Sequence, residues 1–290
     1  MRVIVIQNGQ AGAGQDGEEV LRALRAAGLE AELRDVPGSG ISEAAAAAAR
    51  EADAVIAAGG DGTVSAVAHA LAGTGTPMGI LPLGTLNHFA RDLGVPLELD
   101  AAARVIAAGA VQRVDVGEVN GRRFVNNSSV GFYPRVVRRR ARLRAVLGKW
   151  LAMVWGALAV LWRFPRMRLH LRTEEGAAPV FTPFVFVGNN RYTPGLRPER
   201  RREALDRGAL HVYVAHGAGR WDLVRVALRF LLGRGRDTDL SELSARTVQV
   251  ESRRSGLDVA ADGEVFRLRP PLRYLIHPGA LAVLAPPDRA

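Results

Sequence analysis

Four short apolar runs, at residues 3–6, 31–33, 54–58 and 78–81, alternate with alanine- and leucine-rich segments at 18–27, 42–52 and 64–71. The runs have strand length and the segments between them favour helix. Strand–helix alternation of this kind implies a parallel sheet covered on both faces. In such a sheet ligands bind beyond the carboxyl ends of the strands, where loops lead into helix N-termini. The search for chemistry therefore narrows to the loops that follow the strands.

The sharpest signal is on one of them. Gly59-Gly60-Asp61-Gly62-Thr63 follows an apolar strand and precedes a helix. Three glycines in four positions let the backbone turn with positive φ and bring amide N–H groups against an anion, and the helix N-terminus adds its partial positive charge. A glycine-rich turn without a ligand is the plain alternative; the strand before, the helix after and the acidic residue inside favour a phosphate cradle. Asp61 by itself would repel a phosphate, so a Mg²⁺ ion or a bridging water is implied there. The next loop, Pro82-Leu83-Gly84-Thr85-Leu86-Asn87, repeats the design with a glycine, a hydroxyl and an amide. Alone it reads equally as an ordinary turn with Asn87 as a helix cap; the pair of loops points to one nucleotide held between them. The loop after the first strand, from Asn8 to Gly14, is not GxGxxG, and no acidic residue stands on a clear second strand end, which weakens a dinucleotide reading.

From about Val111 the pattern changes to period-two alternation, at 124–126, 168–172, 210–214 and 247–250. Alternation marks half-buried antiparallel strands. The boundary is placed near residues 118–121, giving an α/β nucleotide-binding domain with a parallel sheet at 1–118 and a β-rich, sandwich-like domain at 119–290. Two segments depart from the pattern, a basic helix at 138–162 and an amphipathic stretch at 221–232. Asp262-Gly263-Glu264 reads locally as a hairpin turn, which Asp-Gly favours.

Composition removes several classes. The chain of 290 residues has no cysteine, so disulfides, thiolate metal sites and cysteine nucleophiles are excluded, and a cytoplasmic location fits best. The six histidines, His69, His88, His170, His211, His216 and His277, show no zinc-ligand spacing, and no GxSxG elbow is present. A formal charge of +10 suits a polyanionic partner, whether nucleic acid, an anionic membrane or a phosphorylated substrate; high-GC codon usage also enriches arginine. The uncharged run 150–162 is well short of the roughly 20 residues that a membrane-spanning helix needs. Its tryptophans, beside Arg138, Arg139, Arg140, Arg142 and Arg144, suit an anionic membrane surface, and the lack of an RNA-recognition aromatic motif disfavours nucleic acid.

Gly59-Gly60-Asp61-Gly62-Thr63 together with Gly84-Thr85-Leu86-Asn87 resembles the diacylglycerol kinase catalytic domain family, which includes bacterial lipid kinases and sphingosine kinases. Asp115-Val116-Gly117, Asn120-Gly121, Phe124, Asn126 and Gly131-Phe132 look like that family's crossing into its second domain, and Asp262-Gly263-Glu264 like its late acidic motif. The resemblance implies an ATP- and Mg²⁺-dependent kinase that phosphorylates a lipid hydroxyl such as that of diacylglycerol, peripheral on the inner face of the membrane, with its active site in the cleft between the domains. It implies that Asn8 and Gly12 lie near the nucleotide, that Gly59, Gly60, Asp61, Gly62, Thr63, Gly84, Thr85 and Asn87 hold it, that Asp61 and Asp115 stand on the metal side, and that Glu264 takes the hydroxyl proton. Asp262 is the rival for that base. The sequence departs from the family at Asn87-His88, where relatives carry Asn-Asp, and at Asp206-Arg207-Gly208, where Arg207 replaces an acidic contributor to a structural magnesium site. An NAD- or sugar-type kinase and a non-catalytic basic binding protein are the competing readings, and a homodimer is left open.

Overall fold

The computed structural model describes residues 1–9, 16–131, 167–192, 202, 204–215 and 240–287. Gly12, Phe132 and the expected helical segments at 138–162 and 221–232 lie outside the described residues. The chain divides into two compact units. One is Met1–Val116 with Leu205–Arg207 and His277–Ala290; the other is Gly117–Ala204 with Gly208–Ile276.

In the first unit β1 (Arg2–Gln7), β2 (Glu30–Asp35), β3 (Ala54–Gly59) and β4 (Met78–Pro82) pair in parallel in the order β2-β1-β3-β4. Their connections are α1 (Gly17–Ala26), a 3-10 turn at Gly38–Gly40 running into α2 (Ile41–Ala48), and α3 (Asp61–Leu71); α4 (His88–Asp92) and α5 (Leu99–Ala108) follow β4. Val3, Ile4, Val5 and Ile6 on β1 are all fully buried, as a central parallel strand covered on both faces requires. The edge strand β2 instead carries charges: Arg34 pairs with Glu32 and Glu51, and Arg2 with Glu32. Such charges keep an edge from recruiting another strand. The order places β2 on one side of β1 and β3 on the other, so the chain reverses its direction of travel at β1. In doubly wound sheets such a switch point, here between β1 and β3, is where ligands bind.

Two expectations change here. The second strand runs on to Asp35, so an acidic residue does end it; charged residues at Glu32 and Arg34 broke the apolar pattern and shortened the strand in the sequence reading. The domain division is also discontinuous rather than a single cut near residue 118. The chain leaves the first unit within β5 (Val111–Val119) and returns within β16 (Leu272–Leu284), where Val283 pairs in parallel with Met78. Asp115 on β5 secures this return. It is 1% exposed, its Oδ1 accepts the Gly279 N–H at 2.9 Å, and its own N–H donates to the Leu205 carbonyl at 2.7 Å.

The second unit is built from two antiparallel layers. One is ordered β12-β11-β10-β7-β14-β15, from β7 (Asn127–Gly131), β10 (Phe184–Asn189), β11 (Leu210–Ala215), β12 (Leu240–Ala245), β14 (Leu257–Ala261) and β15 (Glu264–Leu268). The other places the start of β16 beside β13 (Thr247–Glu251), β8 (Met167–Thr173) and β9 (Gly176–Thr182), with β6 (Arg122–Phe124) forming a hairpin with β5. Alternate residues meet in one core: Met167, Leu169 and Leu171 from β8, Val248 and Val250 from β13, Val185 and Val187 from β10, Leu257 and Val259 from β14. Burial of each such side chain contributes about 1.5–3 kcal/mol before entropy is set against it. Tyr274 lies fully inside, its hydroxyl 3.1 Å from Ser128 Oγ, which donates to the Ala260 carbonyl at 2.7 Å. Burial pushes the Tyr274 phenol pKa above its ordinary range.

At the β8–β9 turn Glu174 accepts from the Thr247 hydroxyl at 2.7 Å and the Thr247 N–H at 2.6 Å, which lowers its pKa. A carboxylate whose folded pKa is depressed adds stability above its unfolded pKa and loses it as pH falls through the folded value. Thermal melts between pH 7 and pH 3 should therefore show a steeper acid-side decline for the parent protein than for Glu174→Gln. Parallel curves would assign the acid sensitivity elsewhere.

Candidate active site

The first phosphate-loop candidate joins β3 to α3. None of Gly59, Gly60, Gly62 or Gly84 has a positive φ, so the reason first given for these glycines does not hold. Crowding explains three of them. A Cβ on Gly59 would lie 2.6 Å from Thr63 Oγ1, and a Cβ on Gly84 would lie 2.5 Å from the Gly60 Cα and 2.7 Å from Asn87 Oδ1. The two loops are thus packed backbone to backbone at Gly60 and Gly84, with no room for a side chain. A Cβ on Gly62 would meet nothing within 4 Å. Gly62 is exposed in the first turn of α3, where backbone amides point outward and an anion can approach closely.

Asn87 is the residue that does take the left-handed conformation, at φ 50. Its side chain makes no cap for α4. Instead Oδ1 accepts the Gly84 N–H at 3.0 Å, and Nδ2 donates to the Gly84 carbonyl at 2.8 Å and the Pro82 carbonyl at 3.3 Å. The cap comes from the other loop: Asp61 Oδ1 accepts the His88 N–H at 2.7 Å. The Gly59 carbonyl also accepts the Leu83 N–H at 3.0 Å. Steric contact, a side-chain bond and a backbone bond therefore lock the loops into one surface. Sequence reading found every residue of it but not the tie, because nothing local says that the cap of α4 lies 27 positions away.

The remaining candidates divide by environment. Thr63 is buried against Gly59, so its hydroxyl belongs to the loop's packing, whereas Thr85 is exposed beside Gly84. Asn8 lies at the end of β1, its Nδ2 3.2 Å from the position a Cβ on Gly38 would take. Next to it the Gly9 N–H donates to Asp35 Oδ1 at 2.7 Å, a contact that the sequence reading missed by ending β2 too early. Asp115 is a core strut, with its carboxylate engaged by Gly279. Asp61 is half-exposed on the loop surface, where one carboxylate with phosphate oxygens and water suits Mg²⁺. Among the described residues no three His, Asp or Glu side chains cluster as a protein-only metal cage.

In the second unit the late acidic motif is the hairpin turn between β14 and β15, and it separates the two carboxylates. Asp262 Oδ2 accepts the Val125 N–H at 2.8 Å, and its Oδ1 accepts the N–H groups of Asn126 at 2.8 Å and Asn127 at 3.2 Å. Glu264, the first residue of β15, is exposed. A base needs an accessible lone pair; Asp262 is half-buried with its oxygens engaged by three amides, whereas Glu264 is exposed.

Residues 2–119 match the model of the diacylglycerol kinase catalytic domain, and residues 127–285 match that of the YegS C-terminal NAD kinase beta sandwich-like domain. A Pseudomonas aeruginosa protein named "Probable lipid kinase YegS-like" is 35% identical over 98% of this chain and 94% of its own length. The chain belongs to the diacylglycerol kinase-like lipid kinase family. Another member, named diacylglycerol kinase, from Mycobacterium tuberculosis, is 34% identical over 83% of this chain and 80% of its own. The fold is shared with a crystal structure of a diacylglycerol kinase from Bacillus anthracis, with a TM-score of 0.71 at 24% identity, covering 99% of this chain and 97% of that one.

For a kinase of this family, the capping bond of Asp61 and the role expected of its charge can be separated by substitution. Asp61→Asn keeps an oxygen for the His88 N–H and loses the charge, so it should melt near the parent protein while phosphoryl transfer falls more than about a hundredfold. Asp61→Ala loses the cap as well and should cost a further ~1 kcal/mol of stability. Near-parental turnover by Asp61→Asn would remove its charge from the mechanism.

Proposed function

We propose that the protein transfers the γ-phosphate of ATP to the hydroxyl of a lipid such as diacylglycerol, working as a peripheral protein at an anionic membrane surface on the cytoplasmic side. The observation that carries this reading is the locked pair of loops at Gly60 and Gly84, beyond the carboxyl ends of the adjacent parallel strands β3 and β4 in a chain of lipid kinase kinship. The backbone amides at the start of α3 and the exposed Gly62 and Thr85 cradle the phosphates. Asp61 holds Mg²⁺, which supplies charge neutralisation as negative charge moves between phosphate oxygens. Phosphoryl transfer asks little covalent chemistry of the protein, so positioning and electrostatics supply most of the rate. Glu264 hydrogen-bonds the lipid hydroxyl and takes its proton late, when bond formation to phosphorus has made it acidic.

No helix among the described residues is long and apolar enough to cross a membrane. In this reading the lipid is reached from the surface, and the formal charge of +10 favours an anionic leaflet. The description of the matched C-terminal model as NAD kinase beta sandwich-like keeps NAD as the second acceptor to test.

The test is incubation with Mg²⁺ and γ-labelled ATP against a panel of diacylglycerol, monoacylglycerol, sphingosine, phosphatidylglycerol and NAD. A labelled lipid phosphate is expected, and Glu264→Gln should lower its rate by about a hundredfold with little change in KM for ATP. A labelled dinucleotide as the only product would overturn the lipid assignment. Normal turnover by Glu264→Gln would overturn the base.

A further inference from the structure

We propose that Asp262 is a positioning residue for the reaction: it fixes the place of Glu264 by clamping the turn between them to the segment Val125–Asn127. The inference rests on the reading of Glu264 as the base. Three consecutive amide N–H groups, from Val125, Asn126 and Asn127, converge on the Asp262 carboxylate, and the Asp262 N–H donates back to the Asn127 carbonyl at 2.9 Å. Converging backbone N–H groups are an anion nest, here filled by the protein's own carboxylate.

The segment is held equally firmly from its other side. The Val125 carbonyl accepts from Asn189 Nδ2 at 2.9 Å and from Arg202 Nη1. The Asn126 carbonyl accepts from the Asn189 N–H at 3.0 Å and the Tyr192 hydroxyl at 3.0 Å, and Asn126 Oδ1 accepts from Arg202 Nη2 at 3.3 Å. Arg202 and Asn189 are 6% and 1% exposed, so these bonds are shielded from competing water. Asp262 is thus anchored to a buried polar frame rather than to a loop.

The turn transmits that anchorage. Asp262 and Gly263 have φ of 45 and 88, the two left-handed residues of a two-residue hairpin, and Ala261 and Glu264 are the pair that closes it. Such a turn has no slack, so fixing the Asp262 carboxylate fixes the Glu264 backbone. Asp262 then acts on the reaction through Glu264 and not by touching the substrate.

A double-mutant cycle separates this role from mere support of the fold. The parent protein, Asp262→Asn, Glu264→Gln and the double variant are assayed with Mg·ATP and dioleoylglycerol in anionic vesicles, with melting temperatures recorded. Asp262→Asn keeps the size but presents an amide donor to one of the N–H groups. Its kcat should fall by about tenfold or more with KM for ATP unchanged, and the double variant should be no slower than Glu264→Gln alone. Hydrogen exchange at Val125–Asn127 should speed up in Asp262→Asn and not in Glu264→Gln. If Asp262→Asn fails to fold, Gly263→Ala strains the turn without touching the carboxylate, and it should show the same non-additivity. Multiplicative losses in the double variant, or near-parental kcat in the single one, would overturn the positioning role while leaving the base intact. Normal turnover by Glu264→Gln would instead sink the base assignment and this inference with it.

Discussion

The contact between Gly60 and Gly84 sets the geometry on which the proposed nucleotide cradle depends. Two loops from neighbouring parallel strands can present their amides to one phosphate chain only if their backbones approach more closely than side chains allow. The Asp61 bond to the His88 N–H and the side-chain bonds of Asn87 then hold that approach. Preorganisation of this kind matters for phosphoryl transfer because donors already in place cost no reorganisation when charge shifts. The carboxylate that caps α4 is the same one proposed to hold the metal, so loop shape and metal charge are coupled through one residue.

The second unit solves a different problem by different means. Its hairpin turn carries an exposed acid, Glu264, proposed as the base, and an exposed acid on a hairpin would ordinarily move with the turn. The buried frame of Asn126, Asn189 and Arg202 stiffens the segment to which Asp262 binds. Such polar networks stabilise only when fully satisfied, and the frame meets that condition by using side-chain donors on backbone carbonyls and a carboxylate on backbone amides.

Legibility in the sequence followed the range of the interaction. The strands β1, β3 and β4 were plain because each is a continuous apolar run, and the loops after β3 and β4 because glycine beside a helix start is a local signal. The second half was readable as antiparallel from alternation, as in Arg168 to Arg172. What lay hidden depended on distant partners. The end of β2 at Asp35 was masked by its own edge charges. The return of β16 to the first unit was masked by Pro278-Gly279, which reads as a break although the strand runs through it. The strut that Asp115 forms was hidden because Gly279, whose N–H it accepts, lies 164 positions further on. Asp262 and Glu264 could not be separated from sequence, since the donors that occupy Asp262 come from residues 125–127.

The proposed phosphate cradle depends on the closeness of Gly60 and Gly84. Titration calorimetry of Mg·ATP into the parent protein and into Gly84→Ala, with circular dichroism confirming that both are folded, tests it most directly. A Cβ at position 84 must push the loops apart, and affinity should fall by about tenfold or more, equivalent to ~1.4 kcal/mol. Unchanged affinity in a folded Gly84→Ala protein would show that the nucleotide is held elsewhere.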